Sequence, residues 1–399
     1  MRRSCFLFLA LSLTCVAAEP ARWEGAFVAR VGYDSNPRAS GAGSSEALGD
    51  YDALTLSGAV NLSLRLPQGR LSYAGEQMVF DGLPEENVRL HRLALGQAVK
   101  REAWRAGFDA SSVLVDGSKD LPASTAGVNA NGLALWRERR AQWQHRVKAH
   151  ALVHEPALGF ARATAAVLDY DYRTGVQSGC VALTDRSDAQ LGLDVGRRLD
   201  TGWSLGLRAG RQRQATIPLP GGGFEYSNRY HRLLLAWEAP LRNGRSLSLA
   251  AGPDVRRFTG AIDPVIMTDR RVTSLWFEAS GALPLGRSAG LTAKATQWTF
   301  LSSTGKSAYR DLSFEVTATW TPHPVLGLSL GCRAQEADYF PAWRDDWHAA
   351  ATFGARINLT RRVRVNLDLL RHEGWNGLAG MPGRAFRRTA LTLGATQTF

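Results

Sequence analysis

The feature that most constrains this chain is a two-residue hydrophobic period held over more than a dozen positions. In 54–66, Leu54, Leu56, Gly58, Val60, Leu62, Leu64 and Leu66 fall on one face, and Thr55, Ser57, Ala59, Asn61, Ser63 and Arg65 on the other. Side chains alternate across a β-strand, so this segment predicts a strand with one apolar and one polar face. Strands of a soluble sandwich alternate too. Their usual length is ~5–6 residues, however, whereas about 9–11 tilted residues cross a bilayer. The pattern returns at 312–320, where Leu312, Phe314, Val316, Ala318 and Trp320 oppose Ser313, Glu315, Thr317 and Thr319, and again at 349–359 and 363–369. No stretch after the first residues approaches ~18 consecutive apolar positions, although 45% of the chain is hydrophobic. The reading is all-β.

Connections alternate in length. Short turns fall at 67–69, Arg101-Glu102, Arg139-Arg140, 200–202, 242–244, 285–289, 322–325 and Thr360-Arg361. Longer polar or Gly/Pro-rich segments lie between them, at 35–50, 82–87, 117–126, 155–188, 215–225, 259–270, 302–308, 336–346 and 373–384. With a first strand at 22–34 and a last at 386–399, this predicts a single transmembrane antiparallel β-barrel over 19–399. It would have about eighteen strands (range 16–20), short periplasmic turns and long outer loops. Segment 155–188 is assigned to one outer loop; Ala163 to Tyr172 has strand character, and a hairpin there would bring the count to about twenty.

Tryptophan gives an independent signal. Trp23 starts the first strand; Trp104, Trp143 and Trp203 follow short turns; Trp136, Trp237 and Trp320 precede them. All seven are expected at one level, an interfacial girdle beside the periplasmic turns, because indole has an apolar body and a polar N–H.

The N-terminus reads as a cleavable signal peptide, residues 1–18. Arg2 and Arg3 precede the apolar run Phe6 to Leu13, and Val16-Ala17-Ala18 places small residues before a cut at Glu19. A lipoprotein reading around Cys15 has a poor lead-in in Ser12-Leu13-Thr14. Export leaves Cys180 and Cys332, compatible with a disulfide or with two thiols. The net charge of +12 is spread along the chain. Export argues against nucleic acid, so the basic residues are expected to face lipopolysaccharide or line a lumen.

In the final strand, Leu391, Leu393, Ala395 and Phe399 share one face, with Arg388, Thr392, Gly394 and Thr396 opposite; Gln397 departs from the alternation. Here the chain resembles the outer-membrane β-barrel family of Gram-negative bacteria, whose last strand typically ends in Phe and is read by the assembly machinery. The resemblance implies a cell outer-membrane location. It also implies outer-membrane lipid, lipopolysaccharide and the barrel assembly machinery as partners, with Phe399 as the assembly signal. The segment Val31-Gly32-Tyr33-Asp34-Ser35-Asn36-Pro37 resembles the opening strand of barrels in polysaccharide-export and surface-lipoprotein assembly systems. Those usually carry a helical repeat domain in front, whereas here Trp23 already begins a strand. The segment also reads as a strand ending in an Asx/Pro turn.

Catalytic patterns fail on context. Gly286-Arg287-Ser288-Ala289-Gly290 matches a nucleophile elbow in letters, but a strand follows it where a helix is needed. Gly305-Lys306-Ser307 lacks the upstream Gly of a phosphate loop. His145, His150 and His154 are split by strand parity, and His231 and His348 are isolated. No enzyme, metal or cofactor is expected.

The lumen is the better clue. Placing the polar face inward puts Arg65, Arg105, Arg146, Lys148, Arg208, Arg232, Lys294, Arg333, Arg356 and Arg364 inside, with a modest basic surplus over acids such as Glu24, Asp109, Asp194, Glu278 and Asp368. Barrels of ~16–18 strands can leave an aqueous channel, and the surplus would concentrate anions. The alternative is that these charges pair across the lumen and only hold the wall. The leading expectation is a porin-like channel for small polar or anionic solutes. A conduit for polysaccharide or lipoprotein export, an outer-membrane hydrolase and a structural barrel with a blocked lumen are the competing classes.

Overall fold

The computed structural model describes residues 21–37, 52–117, 141–155, 159–172, 185–198, 202–214, 226–240, 244–259, 271–301, 308–340, 345–376 and 386–399. Its strands are β1 (Arg22–Asp34), β2 (Ala53–Leu66), β3 (Gly69–Phe80), β4 (Val88–Lys100), β5 (Trp104–Asp116), β6 (Gln142–Glu155), β7 (Gly159–Tyr172), β8 (Arg186–Arg198) and β9 (Gly202–Gln214). They continue as β10 (Tyr226–Pro240), β11 (Ser246–Thr259), β12 (Arg271–Pro284), β13 (Ala289–Leu301), β14 (Ala308–His323), β15 (Leu326–Phe340), β16 (Asp345–Asn358), β17 (Val363–Asn376) and β18 (Phe386–Thr398).

Each strand pairs antiparallel with its neighbours in sequence, and β1 pairs with both β2 and β18. The 18-stranded sheet therefore closes on itself. Closure leaves no free edge strand, which is the condition for β-structure to sit in hydrocarbon. The faces are inverted relative to a soluble protein. Leu54, Leu56, Leu191, Leu205, Leu207 and Leu330 are exposed, while Ser57, Asp194, Arg232, Thr352 and Asp368 are buried. An apolar outer belt around a polar interior is the architecture of an outer-membrane barrel. The chain belongs in that membrane's lipid and lipopolysaccharide layer.

Two expectations change inside an unchanged strand count. Segment 155–188 is not one loop: β7 pairs with β6 from Gly159 to Tyr172 and with β8 from Phe160 to Tyr170. Its outward face is Ala161, Ala163, Ala165 and Val167, small residues that mute the hydrophobic alternation. The expected turn at Arg139-Arg140 lies outside the described residues. β5 pairs directly with β6 and β6 with β7, so β6 follows β5 in the wall with no described strand between them. β6 thus runs toward the periplasm, opposite to the direction the expected turn required. The signal segment 1–18, Cys180, Trp136 and Gly305-Lys306-Ser307 also lie outside the described residues.

The wall opens at one seam, while β14 stays paired with β15 up to Ala308↔Phe340. The β12–β13 ladder stops at Phe277↔Gln297, while β11–β12 continues up to Arg257↔Arg271. Above that point β13 crosses inward. Gln212 Nε2 donates to the Thr299 carbonyl at 3.3 Å and Arg186 Nη1 to the Leu301 carbonyl at 3.2 Å. Leu301 and Ala308 pack on Phe258, with Val272 against them, on the inner faces of β11 and β12. The outer end of the β13–β14 hairpin therefore lies across the inner wall of β8–β12 and narrows the mouth from one side.

Candidate functional site: the lumen

Strand alternation puts Arg65, Arg105, Arg146, Lys148, Arg208, Arg232, Lys294, Arg333, Arg356 and Arg364 on the strand face that carries the buried Ser57, Asp194, Thr352 and Asp368. Arg105 lies opposite Leu152, Arg146 opposite Ser111, Lys148 opposite Asp109, Arg208 opposite Arg232, and Arg356 opposite Asn366. Their surroundings divide them into groups with different chemistry.

The first group is packed under the hairpin. Arg232 Nε and Arg256 Nη2 reach Asp254 Oδ2 at 3.0 and 2.8 Å, and all three side chains are at most 1% exposed. Arg256 Nη1 donates to Gln212 Oε1 at 2.9 Å and to Asn228 Oδ1 at 3.3 Å. Gln212 and Tyr230 each donate to Asp188 at 3.0 Å. Arg232 stacks over Tyr230 and faces Trp298 at 4.4 and 5.3 Å. Charges so enclosed hold the hairpin to the wall.

The second group is paired but reaches the lumen. Asp194 binds Arg208 at 2.6 Å and Arg162 at 2.8 Å, beside a recess of about 250 Å³ that Glu238, Trp276 and Trp298 complete. Lys294 meets Glu278 at 3.5 Å, and Arg65 meets Glu24 at 3.1 Å near the periplasmic end. Arg333 donates to Gln335 at 3.3 Å.

The third group is Arg105, Arg146, Lys148, Arg356 and Arg364. Among the described residues none of these cations has a carboxylate within ion-pair distance. Lys148 sits directly opposite Asp109 on the neighbouring strand. Arg162, Arg186, Asp188, Arg70 and Glu76 join the inner face in addition. They sit in 155–188 and in β3, where the alternation was weakest; the strand character of 163–172 was the available signal for Arg162.

The outward-facing tryptophans among the described residues occupy two levels. Trp23, Trp104, Trp203, Trp237 and Trp320 lie at the periplasmic end, with Trp203 and Trp237 rings 5.9 Å apart. Trp143 does not join them. It pairs in register with Leu114 and Asp171 at the outer end, because β6 enters from the outer side. There it shares a level with Trp347 and Trp375, which are opposite each other and exposed.

Phe399 exchanges backbone hydrogen bonds with Gly25 at 3.0 and 3.1 Å and packs near Phe27, ring centroids 5.3 Å apart. In the segment beginning at Val31, Asp34 accepts two bonds from Arg388 Nε at 2.8 and 3.0 Å. Asn36 donates its backbone N–H to Asp34 and its side chain to the Arg387 carbonyl, each at 3.1 Å. This is an Asx turn that latches β1 to β18. Gly286 has φ 83 and sits in a turn that leads straight into β13. His150 and His154 face inward while His145 stacks on Trp143. His348, expected to be isolated, lies 5.5 Å from the His372 ring because β16 and β17 pair in this register. No group of three metal-ligating side chains occurs among the described residues.

No protein-family model matches the chain and no curated protein matches it. Among solved structures it is similar to the outer membrane protein OpdK from Pseudomonas aeruginosa, with 13% identity, 95% of this chain and 99% of that chain covered, and TM-score 0.48. It is also similar to the outer membrane channel DcaP of Acinetobacter baumannii, with 12% identity, 95% and 97% covered, and TM-score 0.47. The ferric-catecholate import receptor Fiu from E. coli matches at 11% identity, 94% and 81% covered, and TM-score 0.42.

Proposed function

We propose that this barrel is a passive, weakly anion-preferring channel for small polar solutes, exported by way of residues 1–18 and inserted through recognition of Phe399. One observation carries the reading: Arg105, Arg146, Lys148, Arg356 and Arg364 face the lumen without a partner carboxylate among the described residues, on two sectors of the wall. A cation bonded to a carboxylate stiffens the wall; one without such a partner leaves its potential in the water path and raises the local anion concentration. The packed Arg232–Asp254–Arg256 group holds the hairpin and sets the width of the mouth. Reconstitution in planar bilayers under a salt gradient tests the reading. The expected result is conductance with a reversal potential on the anion side; an absence of conductance, or clear cation preference, overturns it. A structural barrel with a blocked lumen draws its support from the inward hairpin, and the same recording discriminates it.

A further inference from the structure

Tryptophans of an outer-membrane barrel belong to the girdles that face lipid. Trp276 and Trp298 do not. Strand parity sets Trp276 on the side of Glu278 and Trp298 on the side of Lys294, so both face the lumen. Their rings meet edge to face with centroids 5.7 Å apart, and the Arg232 guanidinium lies 5.6 and 5.3 Å from them. Trp276 is buried, and Trp298 is half-buried one residue beyond the last β12–β13 rung. Together they line the recess of about 250 Å³ where β13 crosses inward.

The rest of that recess is polar and balanced in charge. Asp194 engages Arg208 through Nη1 and Arg162 through Nε. That leaves Nη2 of Arg208 and both Nη atoms of Arg162 to donate. Glu238 is exposed and, among the described residues, has no cation within ion-pair distance. Glu278 meets Lys294 through one oxygen and keeps the other. Guanidinium donors and carboxylate acceptors therefore stand side by side next to indole.

Such a wall matches neither sign of ion. An anion meets Glu238 and Glu278, and a cation meets Arg162 and Arg208. A hydroxyl suits both, because it donates once and accepts through two lone pairs. Its bonds to charged partners are stronger than neutral ones. A ring with hydroxyls on its rim and a C–H face on indole satisfies the polar and apolar sides together. The volume lies below the ~300–1,000 Å³ of drug-sized sites, which leaves room for one ring.

We propose that Trp276, Trp298, Glu238, Glu278, Arg162 and Arg208 form a subsite for one uncharged polyhydroxylated ring, the pyranose of a monosaccharide. Its C–H face lies on the indoles and its hydroxyls on the charged rim. The inference goes beyond the anion preference proposed above. It requires that small polar solutes reach the lumen from one end, not that the lumen conduct.

The test uses the full-length barrel in a zwitterionic detergent that carries no sugar headgroup. Methyl glucoside, methyl galactoside and methyl mannoside are titrated by calorimetry, and saturation-transfer NMR reads which ring protons touch the protein. Saturable binding of at least one pyranoside is expected, with transfer concentrated on the C–H protons of one face. Glu238→Gln is expected to bind that pyranoside at least fivefold more weakly. Arg162→Gln, which leaves Asp194 its bond to Arg208, is expected to do the same. Glu24→Gln, at the periplasmic end, is expected to bind as the parent does. Absence of saturable binding by all three pyranosides, or parental binding by Glu238→Gln, overturns the proposal. Displacement of the pyranoside by equimolar benzoate assigns the recess to anions and overturns it too. Circular dichroism establishes that each variant retains its β-structure. Binding without conductance would defeat the proposed channel alone, and conductance without binding would defeat the subsite alone.

Discussion

Asp254 holds two guanidiniums at once, and neither it nor they reach water. Removing one member of such a group leaves a buried charge without its counter-charge, at a cost of about 3–5 kcal/mol. Asp254→Asn is therefore expected to lower the thermal unfolding midpoint of the detergent-solubilised barrel sharply, with folded yield falling alongside. Arg65 and Glu24 provide the contrast. They form an ion pair of similar length, but the side chains are 62% and 34% exposed. Solvent screening reduces such a pair to at most about 1 kcal/mol, so Glu24→Gln is expected to leave the midpoint nearly unchanged. A similar response from both variants would show that the interior around Asp254 is wet.

At the scale of elements, the outer end of β13 depends on a few long-range contacts where its ladder to β12 has stopped. Gln212 is its central clasp, donating to the Thr299 carbonyl and to Asp188 while accepting from Arg256 and Asn228. Gln212→Ala is expected to loosen the hairpin and to produce larger, more fluctuating single-channel currents; a steady current of parental size would show that the apolar packing of Phe258, Leu301 and Ala308 suffices. Alternation revealed β2, β14, β16 and β17 plainly, because leucine, phenylalanine and tryptophan contrast strongly with the polar face. It understated β7, whose outward alanines give little contrast. It could not reveal the inward hairpin at all: β13 and β14 alternate normally to their ends, and which wall they leave depends on contacts with strands four and five places away in order.

Over the whole molecule, the inward direction of the charged residues was legible because a barrel has two faces and parity selects one. Which of them pair was not legible, since the pairs join neighbouring strands and follow from a register that alternation alone does not give. Lys148 shows the difference: alternation reveals its face, and only the register sets it opposite Asp109. If the lumen conducts, Lys148→Glu with Arg146→Glu is expected to shift the reversal potential toward cation preference. Arg371→Glu, on the outward side, is expected to leave it unchanged. The effect should shrink as ionic strength rises, since exposed charges are screened within about 8 Å at physiological salt.

The meeting of Gly25 and Phe399 has a consequence for how such a sequence can drift. A Cβ on residue 25 would lie 2.1 Å from the Phe399 ring, inside the space the ring fills. A larger residue at 25 thus displaces the aromatic that covers the closing strands, and loss of the aromatic bares a glycine to lipid. The two ends of the chain form one mutational unit. Across descendants of this sequence, positions 25 and 399 should change together or stay fixed together, far apart in the chain and as tightly bound as neighbours.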